Sequence, residues 1–164
     1  DVVNYLKYFT FLPKDEIESL AEATAQRPEQ REAQRSLARV MTDTVHGPSA
    51  LARAEQATQA LFGGDISSLD ASDIADVFAE VPASELPKSQ LEGEGLAVLD
   101  LLVGTSLVKS KGDARRSISE GGLSINNARI QDPLQMVTLN DLLAGQFIVL
   151  RKGKKNYHLV RVLS

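Results

Sequence analysis

The spacing of apolar residues changes near the middle of the chain, and this change constrains the fold more than any other feature. Residues 13–81 place apolar residues at helical intervals and show almost no alternation with period two. Four helices are predicted there, and the second is a single long helix that begins at Pro28 and ends near Gly47. We therefore expect a small helical bundle domain over residues 1–81.

Residues 96–164 predict two helices followed by two β-hairpins, an α+β module. An apolar helix is expected to begin at Leu96, and a second helix to begin after Ser110, whose hydroxyl would form a capping box with Asp113. Residues 82–95 contain two prolines, two glycines and few apolar side chains, which predicts a linker. The α+β domain is therefore expected to be separate from the helical one.

Both hairpins are predicted from strand-like segments that flank a turn. The first turns at Asn126 and Asn127, because asparagine tolerates the left-handed backbone conformation of a tight turn. The second joins the apolar segments 147–150 and 157–162. The turn between these two segments carries four cations, Arg151, Lys152, Lys154 and Lys155.

Charge divides the chain at the same place. Residues 1–95 carry 8 lysines and arginines against 17 aspartates and glutamates, a net charge of −9. Residues 96–164 carry 10 against 5, a net charge of +5. A basic module behind an acidic domain is typical of a protein that binds a polyanion. The alternative is a chance fluctuation between two domains.

Composition excludes several kinds of site. The chain has 164 residues and no cysteine, which excludes disulfides, thiolate zinc sites and thiol nucleophiles. No apolar run approaches the roughly 18 residues of a membrane-spanning helix, so no membrane contact is expected. No glycine-rich loop follows a predicted strand, and no spacing singles out carboxylates or histidines for catalysis or metal binding. We therefore expect no catalytic residue and no metal ligand in this chain.

The strongest candidate site is a group of polar and cationic residues in the second domain, here called the basic cluster. Lys111 and Arg115 lie four residues apart and share one face of the predicted helix, where like charges repel. The helix start and the hairpin turn carry the same sign, which favours binding of a phosphate backbone. The alternative is a solvated basic surface. The basic cluster consists of Ser110, Lys111, Arg115, Arg116, Arg151, Lys152, Lys154 and Lys155.

Two residues next to the basic cluster are further candidates for RNA contact. Tyr157 follows the basic turn, so its ring could stack on a base or a ribose. The alternative for Tyr157 is an ordinary strand aromatic. Asn126 in the first hairpin turn is the other candidate.

Several stretches of the sequence resemble known proteins that bind RNA. Residues 110–116 (SKGDARR) and 121–127 (GGLSINN) resemble the S-four-like RNA-binding module, in which a glycine usually stands at the place of Asn127. Residues 2–12 and the stretch REAQ at 31–34 resemble the region that follows the catalytic core of bacterial-type tyrosyl-tRNA synthetases. The basic hairpin follows in the order of that family, so both halves of the chain resemble the same family.

The resemblance implies a helical anticodon-binding domain followed by an S-four-like RNA-binding domain. These domains would position the anticodon and variable arms of tyrosine tRNA for aminoacylation by an upstream catalytic domain. The family's HIGH-type and KMSKS-type signatures do not occur here, so the chain is expected to be inactive alone. For the parent enzyme the resemblance implies ATP and magnesium, a homodimer and a cytoplasmic location, with the mitochondrial matrix as the alternative. The present piece could be a monomer, because the family's usual dimer contacts lie upstream.

A row of arginines in the first domain acquires a possible role from this resemblance. Arg27, Arg31, Arg35 and Arg39 recur every four residues, and at least the last three would share a face of the long predicted helix. Arg31 and Arg35 are candidates for contact with the anticodon arm or with the catalytic domain. The alternative is a solvated face paired with acids such as Glu32.

Two other functions are compatible with the sequence. One is a general structured-RNA-binding protein, either ribosome-associated or assisting splicing, without synthetase activity. The other is a helical interaction domain whose basic module docks an acidic protein. Binding several RNAs equally would favour the first, and no preference for RNA over another polyanion would favour the second.

Overall fold

The computed structural model describes residues 1–164, which form two compact units, Asp1–Glu55 and Gln56–Ser164. Short 3-10 turns lie at Pro28–Gln30, Lys88–Leu91 and Leu139–Asp141. The helices are α1 (Val2–Phe9), α2 (Lys14–Gln26), α3 (Glu32–His46), α4 (Pro48–Leu61), α5 (Ala71–Val77), α6 (Val98–Val103) and α7 (Lys111–Ser119). The strands are β1 (Ala83–Pro87), β2 (Leu96–Ala97), β3 (Leu123–Ile125), β4 (Ala128–Arg129), β5 (Met136–Val137), β6 (Phe147–Lys152) and β7 (Asn156–Leu163).

The first unit is a helical bundle around one small core. Leu6 of α1, Ile17 of α2 and Ala33 of α3 are buried together, and Leu20 and Leu37 pack against them. Helical spacing brings these apolar side chains to one face of each helix. Each helix can therefore bury its apolar face and leave its polar residues in solvent. The predicted helical bundle is confirmed for this part of the chain.

The long helix predicted from Pro28 is interrupted at Arg31. Arg31 adopts a left-handed conformation with φ of 52°, and its N–H donates to the carbonyl of Pro28, which closes a short 3-10 turn. Helix α3 then begins at Glu32. The prediction of one continuous helix is wrong, because the proline opens only a single tight turn. Arg31 therefore lies outside α3 and does not share a helical face with Arg35.

The second unit is built on a five-stranded sheet in the order β1-β7-β6-β3-β4. Strands β1 and β7 are parallel, with Ala83 opposite Leu159, and the other neighbours are antiparallel. The predicted hairpins β3–β4 and β6–β7 are both present. In the first turn Asn126 and Asn127 have φ of 48° and 63°, the left-handed conformations expected of them.

Apolar side chains cover both faces of this sheet. On one face, Ile148 and Leu150 of β6 pack in the core that includes α6 and α7. On the other face, Phe147 and Val149 pack in a core that includes Phe78, next to α5. Four consecutive apolar residues in β6 serve both cores, because neighbouring residues of a strand point to opposite faces.

The division of the chain differs from the predicted domains and linker. Residues 82–95 contain an edge strand, β1, and the side chain of Leu91 is buried in the sheet core. Residues 56–81, expected in the helical domain, belong to the second unit because their apolar side chains cover one face of the sheet. Pro82 precedes β1 and Pro87 is its last residue, and a strand at a sheet edge tolerates proline.

His158 is a buried titratable residue of the sheet. Its side chain is 4% exposed, and its Nε2 and Nδ1 lie 2.9 Å from the hydroxyl of Ser84 and 3.4 Å from that of Ser106. Burial lowers the pKa of His158, because desolvation disfavours the imidazolium. The unfolded chain, in which the pKa is about 6.5, therefore takes up a proton at a higher pH than the folded chain.

We expect the free energy of unfolding to decrease as the pH falls below about 6.5, by at most about 1.4 kcal/mol per pH unit from this residue. Urea denaturation at several pH values would measure it. His158→Asn should show a smaller decrease, because asparagine keeps polar contacts but takes up no proton. Equal pH dependence in both proteins would contradict this role for His158.

Candidate nucleic-acid interface

The first turn of α7 is organised around Asp113. Ser110 caps the helix, because its Oγ accepts a hydrogen bond from the N–H of Asp113 at 3.1 Å. The Asp113 carboxylate accepts from the N–H of Lys109 at 3.1 Å, so the return bond of the predicted capping box goes to Lys109 rather than to Ser110. This bond is the main cause of a lowered pKa at Asp113, and Lys152 adds to it.

Asp113 also joins the start of α7 to strand β6. Its Oδ2 lies 3.1 Å from Lys152 Nζ, and its Oδ1 lies 3.4 Å from Arg116 Nη2. The helix start and the hairpin therefore come together as predicted, but through a shared acid. Lys111 likewise forms an ion pair with Asp100. Three members of the basic cluster thus have acidic partners within the fold.

Three other members of the basic cluster have no acidic partner. Arg115 on α7 is exposed, as are Lys154 and Lys155 in the β6–β7 turn, and none of them forms an ion pair. Cations left in solvent without a neighbouring carboxylate are available to neutralise phosphates. These three side chains are therefore the strongest candidates for contact with a nucleic-acid backbone.

The remaining cation, Arg151, points away from the rest of the cluster. Strand β6 extends through Lys152, so Arg151 and Lys152 are strand residues rather than turn residues, which corrects the sequence prediction. Neighbouring side chains of a strand point to opposite faces. Lys152 accordingly reaches Asp113 on the side of α7, whereas the Arg151 guanidinium lies against Gly63 on the other side.

The ring of Tyr157 is not accessible to a base. The residue is 6% exposed, and its ring centroid lies 5.5 Å from that of Phe78. Its Oη donates to the carbonyl oxygen of Leu61 at 2.9 Å, and Arg151 Cζ lies 5.8 Å from the ring centroid. The alternative of a strand aromatic in the core therefore fits the structure, and base stacking does not.

The turn asparagines bind main-chain groups of the fold. Asn126 Nδ2 donates to a main-chain carbonyl at 2.6 Å, and its Oδ1 accepts from the N–H of Val149 at 2.9 Å. Asn127 Nδ2 donates to the carbonyls of Ala60 and Gly64, both at 2.9 Å, which ties the turn to the end of α4. Glycine would permit the same backbone conformation but could not form these bonds, and sequence analysis missed this role.

The arginine row of the first unit is partly paired. Arg39 Nε lies 2.7 Å from Glu55, and Arg27 Nη2 lies 3.4 Å from Glu32. The alternative of a solvated face paired with acids therefore holds for these two. Two members are exposed and form no ion pair, Arg31 and Arg35.

The chain shows neither a metal-binding group nor a membrane-spanning helix. No three histidine, aspartate or glutamate side chains group together in a way that could hold a metal ion. None of the helices has the length and apolar character needed to cross a membrane.

Known protein families match both ends of the chain. The family described as "Tyrosine--tRNA ligase SYY-like C-terminal domain" matches residues 73–160, and "tRNA synthetases class I (W and Y)" matches residues 1–63. The tyrosine–tRNA ligase of Roseiflexus castenholzii is 52% identical over 163 residues, which cover 99% of this chain and 38% of that protein. The tyrosine–tRNA ligase of Rhodopirellula baltica is 41% identical over 162 residues, 99% of this chain and 37% of that protein.

The match to the curated relatives covers only part of their length, a little over a third. Among solved structures, the solution structure of a tyrosyl-tRNA synthetase C-terminal domain is 36% identical. The matched region covers 61% of the present chain and 96% of the solved domain, with a TM-score of 0.47. The C-terminal family match spans more than half of the present chain and confirms the resemblance found in the sequence. The chain therefore belongs to the tyrosine–tRNA ligase family and contains its SYY-like C-terminal domain.

Proposed function

We propose that the chain is the tRNA-binding carboxy-terminal region of a tyrosyl-tRNA synthetase. The helical unit contacts the anticodon arm of tyrosine tRNA, through Arg31 and Arg35, and the basic unit binds phosphates near the variable arm. Support comes from family membership and from relatives named tyrosine–tRNA ligases. Phosphate contacts fix the orientation of a nucleic acid without reading its sequence. The contribution of the basic unit is therefore to position the tRNA for a remote reaction.

The observation that carries this proposal is the exposed, unpaired set Arg115, Lys154 and Lys155. Lys152 and Asp113 hold the turn beside the start of α7, so cations from two distant parts of the chain lie on one unit. Lys111 and Arg116 are each about half exposed or more and can reach a phosphate while still paired. The Ser110 Oγ accepts the capping hydrogen bond from the Asp113 N–H. Asn126 and Tyr157 are left out of the proposed contacts, because their polar groups are bound within the fold.

We infer that the whole protein joins tyrosine to its tRNA with ATP and magnesium, acts as a homodimer, and does so in the cytoplasm. The residues present here do not fit those two cofactors. No three acidic or histidine side chains converge, and a basic cleft of the second unit contains no acid. Residues outside this chain would therefore bind them, and the present residues would supply tRNA binding.

Binding of the chain to three tRNAs over a salt series tests the proposal. Tyrosine tRNA should bind at least about tenfold more tightly than serine tRNA or a tRNA with a short variable arm, a difference of about 1.4 kcal/mol. Log affinity should fall linearly with log salt, because bound phosphates release counterions. A changed anticodon should reduce the preference if the helical unit contacts that arm.

Equal affinity for all three tRNAs would contradict the selective role and favour a general RNA-binding protein. Equal affinity for heparin would contradict RNA recognition altogether.

A further inference from the structure

A cleft of about 630 Å³ lies in the second unit, apart from Arg115, the unpaired cation on α7. It is bounded by the residues that follow α4, the β3–β4 turn and the β6–β7 turn. Its volume falls within the range of about 300–1,000 Å³ that small-ligand sites occupy. The side chains that line it include Phe62, Ser124, Asn127, Arg129, Arg151 and Lys154.

The charge of this cleft is not balanced by the protein. Arg129, Arg151 and Lys154 form no ion pair, and no acidic residue lines the cleft. Arg151 is half-buried, and its guanidinium contacts Tyr157, with Nη1 3.5 Å from Oη and Cζ 5.8 Å from the ring centroid. A partly desolvated guanidinium without a carboxylate is unfavourable unless a ligand compensates it. The site is therefore suited to an anion.

Unsatisfied polar atoms concentrate at the same place. Three buried side-chain atoms of the chain have no hydrogen-bond partner, and two of them, Arg151 Nε and Asn127 Oδ1, belong to residues that line this cleft. Buried polar atoms are nearly always paired in folded proteins, so a pair of exceptions at one site calls for an explanation. A small shift of Arg151 would let Nε, a donor, bind an anion, whereas Asn127 Oδ1, an acceptor, needs an N–H or O–H of the ligand, such as a ribose hydroxyl.

Two glycines let the arginine side chains lie flat along the walls of the cleft. Gly63 has φ of 86°, and a Cβ there would collide with the Arg151 guanidinium. Gly121 has φ of 69°, and a Cβ there would lie 2.9 Å from Arg129 Cζ. The missing Cβ atoms therefore leave room for both guanidinium groups against backbone that only glycine readily adopts.

Phe62 supplies a flat apolar surface at the rim. Its side chain is 85% exposed and belongs to none of the buried clusters. An exposed ring beside cations is the arrangement that stacks an unpaired base while the phosphate is held. A base inside a duplex is already stacked, so the matching ligand is a nucleotide outside the stem.

We propose that this cleft binds one unstacked nucleotide of the bound RNA. Its phosphate lies between Arg129, Arg151 and Lys154, and its base stacks on Phe62. The assignment rests on the proposed function and adds to it a base contact in the second unit, beyond its phosphate contacts. Phe62→Ala is expected to weaken tRNA binding about tenfold without changing the salt slope, and Arg129→Gln to lower that slope by about one.

The chain contains no tryptophan, so Phe62→Trp places a single fluorescent probe at the rim. Stacking of a base should quench its fluorescence as tyrosine tRNA is added, in parallel with binding measured by filter retention. Leu134→Trp is the matched control, because Leu134 is 76% exposed and does not line the cleft. Its fluorescence should change little. A free nucleoside monophosphate, added to the Phe62→Trp protein, tests whether a mononucleotide alone enters the site.

Quenching of Phe62→Trp by tRNA, with Leu134→Trp unchanged, would support the assignment. Retained tRNA binding without quenching would overturn it and leave the proposed function intact. Quenching by a free mononucleotide but not by tRNA would overturn it in favour of a small-molecule site. Absence of tRNA binding in both proteins and in the parent chain would overturn the proposed function, and the nucleotide assignment with it.

Discussion

Replacing Arg115, Lys154 and Lys155 with alanine is expected to weaken tRNA binding by roughly a few hundredfold at about 0.1 M salt. Each phosphate contact contributes about 0.9 to the slope of log affinity against log salt, so three lost contacts lower that slope by about 2.7. Salt near 1 M suppresses the electrostatic contribution, so the variant and the parent should bind almost equally there. Titrations of tyrosine tRNA at four or five salt concentrations would measure both quantities.

The control for this variant removes the same charge elsewhere. Lys14, Lys88 and Arg161 are exposed and lie outside the basic cluster, so their joint replacement by alanine changes the net charge equally. We expect a much smaller change in slope from this control. If both variants lose the same slope, RNA binding depends on overall charge, and the basic cluster is not a specific interface.

Phe78→Ala is expected to lower the free energy of unfolding of the second unit by about 3–5 kcal/mol. Phe78 is 1% exposed and packs on the Tyr157 ring, so the substitution leaves a cavity between the residues next to α5 and the sheet. Amide hydrogen exchange would localise the effect. The N–H of Val149 donates to Asn126 Oδ1 and that of Leu159 to the carbonyl of Pro82, and both should exchange about a hundred- to a few thousandfold faster.

Phe62→Ala is the matched aromatic control, because Phe62 is 85% exposed and its loss should change stability by no more than about 0.5 kcal/mol. The comparison also tests the division of the chain. Faster exchange confined to residues 1–55 in Phe78→Ala, with the sheet unchanged, would mean that residues 56–81 belong with the helical unit after all.

The parts of the fold that the sequence predicts well are those set by local chemistry. Ser110 caps α7 and the two asparagines form the β3–β4 turn, because each needs only its own side chain or backbone preference. Strand β1 was missed, because Ala-Ser-Glu-Leu-Pro carries no strong strand signal and its parallel partner is far away in the chain. The burial of both sheet faces did leave a signal, the four consecutive apolar residues of β6.

At the candidate site, too, local chemistry can be predicted from the sequence but contacts between distant segments cannot. The residue types of the basic cluster and their approach to one another follow from the sequence, but the acids that pair with them do not. Asp113 binds Lys152 only because α7 and β6 pack side by side. The cleft around Arg151 depends on Phe62 and Gly63, which the sequence analysis assigned to the other domain. Alternation along β6 alone could have shown that Arg151 and Lys152 point apart.

The position of β7 in the sheet has a consequence for how the protein is made. This strand lies between β1 and β6, so β1 has no partner until residues up to about Leu163 have left the ribosome. Helices of the first unit need only local contacts and can form while synthesis continues. The second unit, by contrast, must keep its apolar strands from aggregating until its final strand arrives. Premature termination before Asn156 would therefore leave β1 and one edge of β6 without a partner, and the helical unit still able to fold.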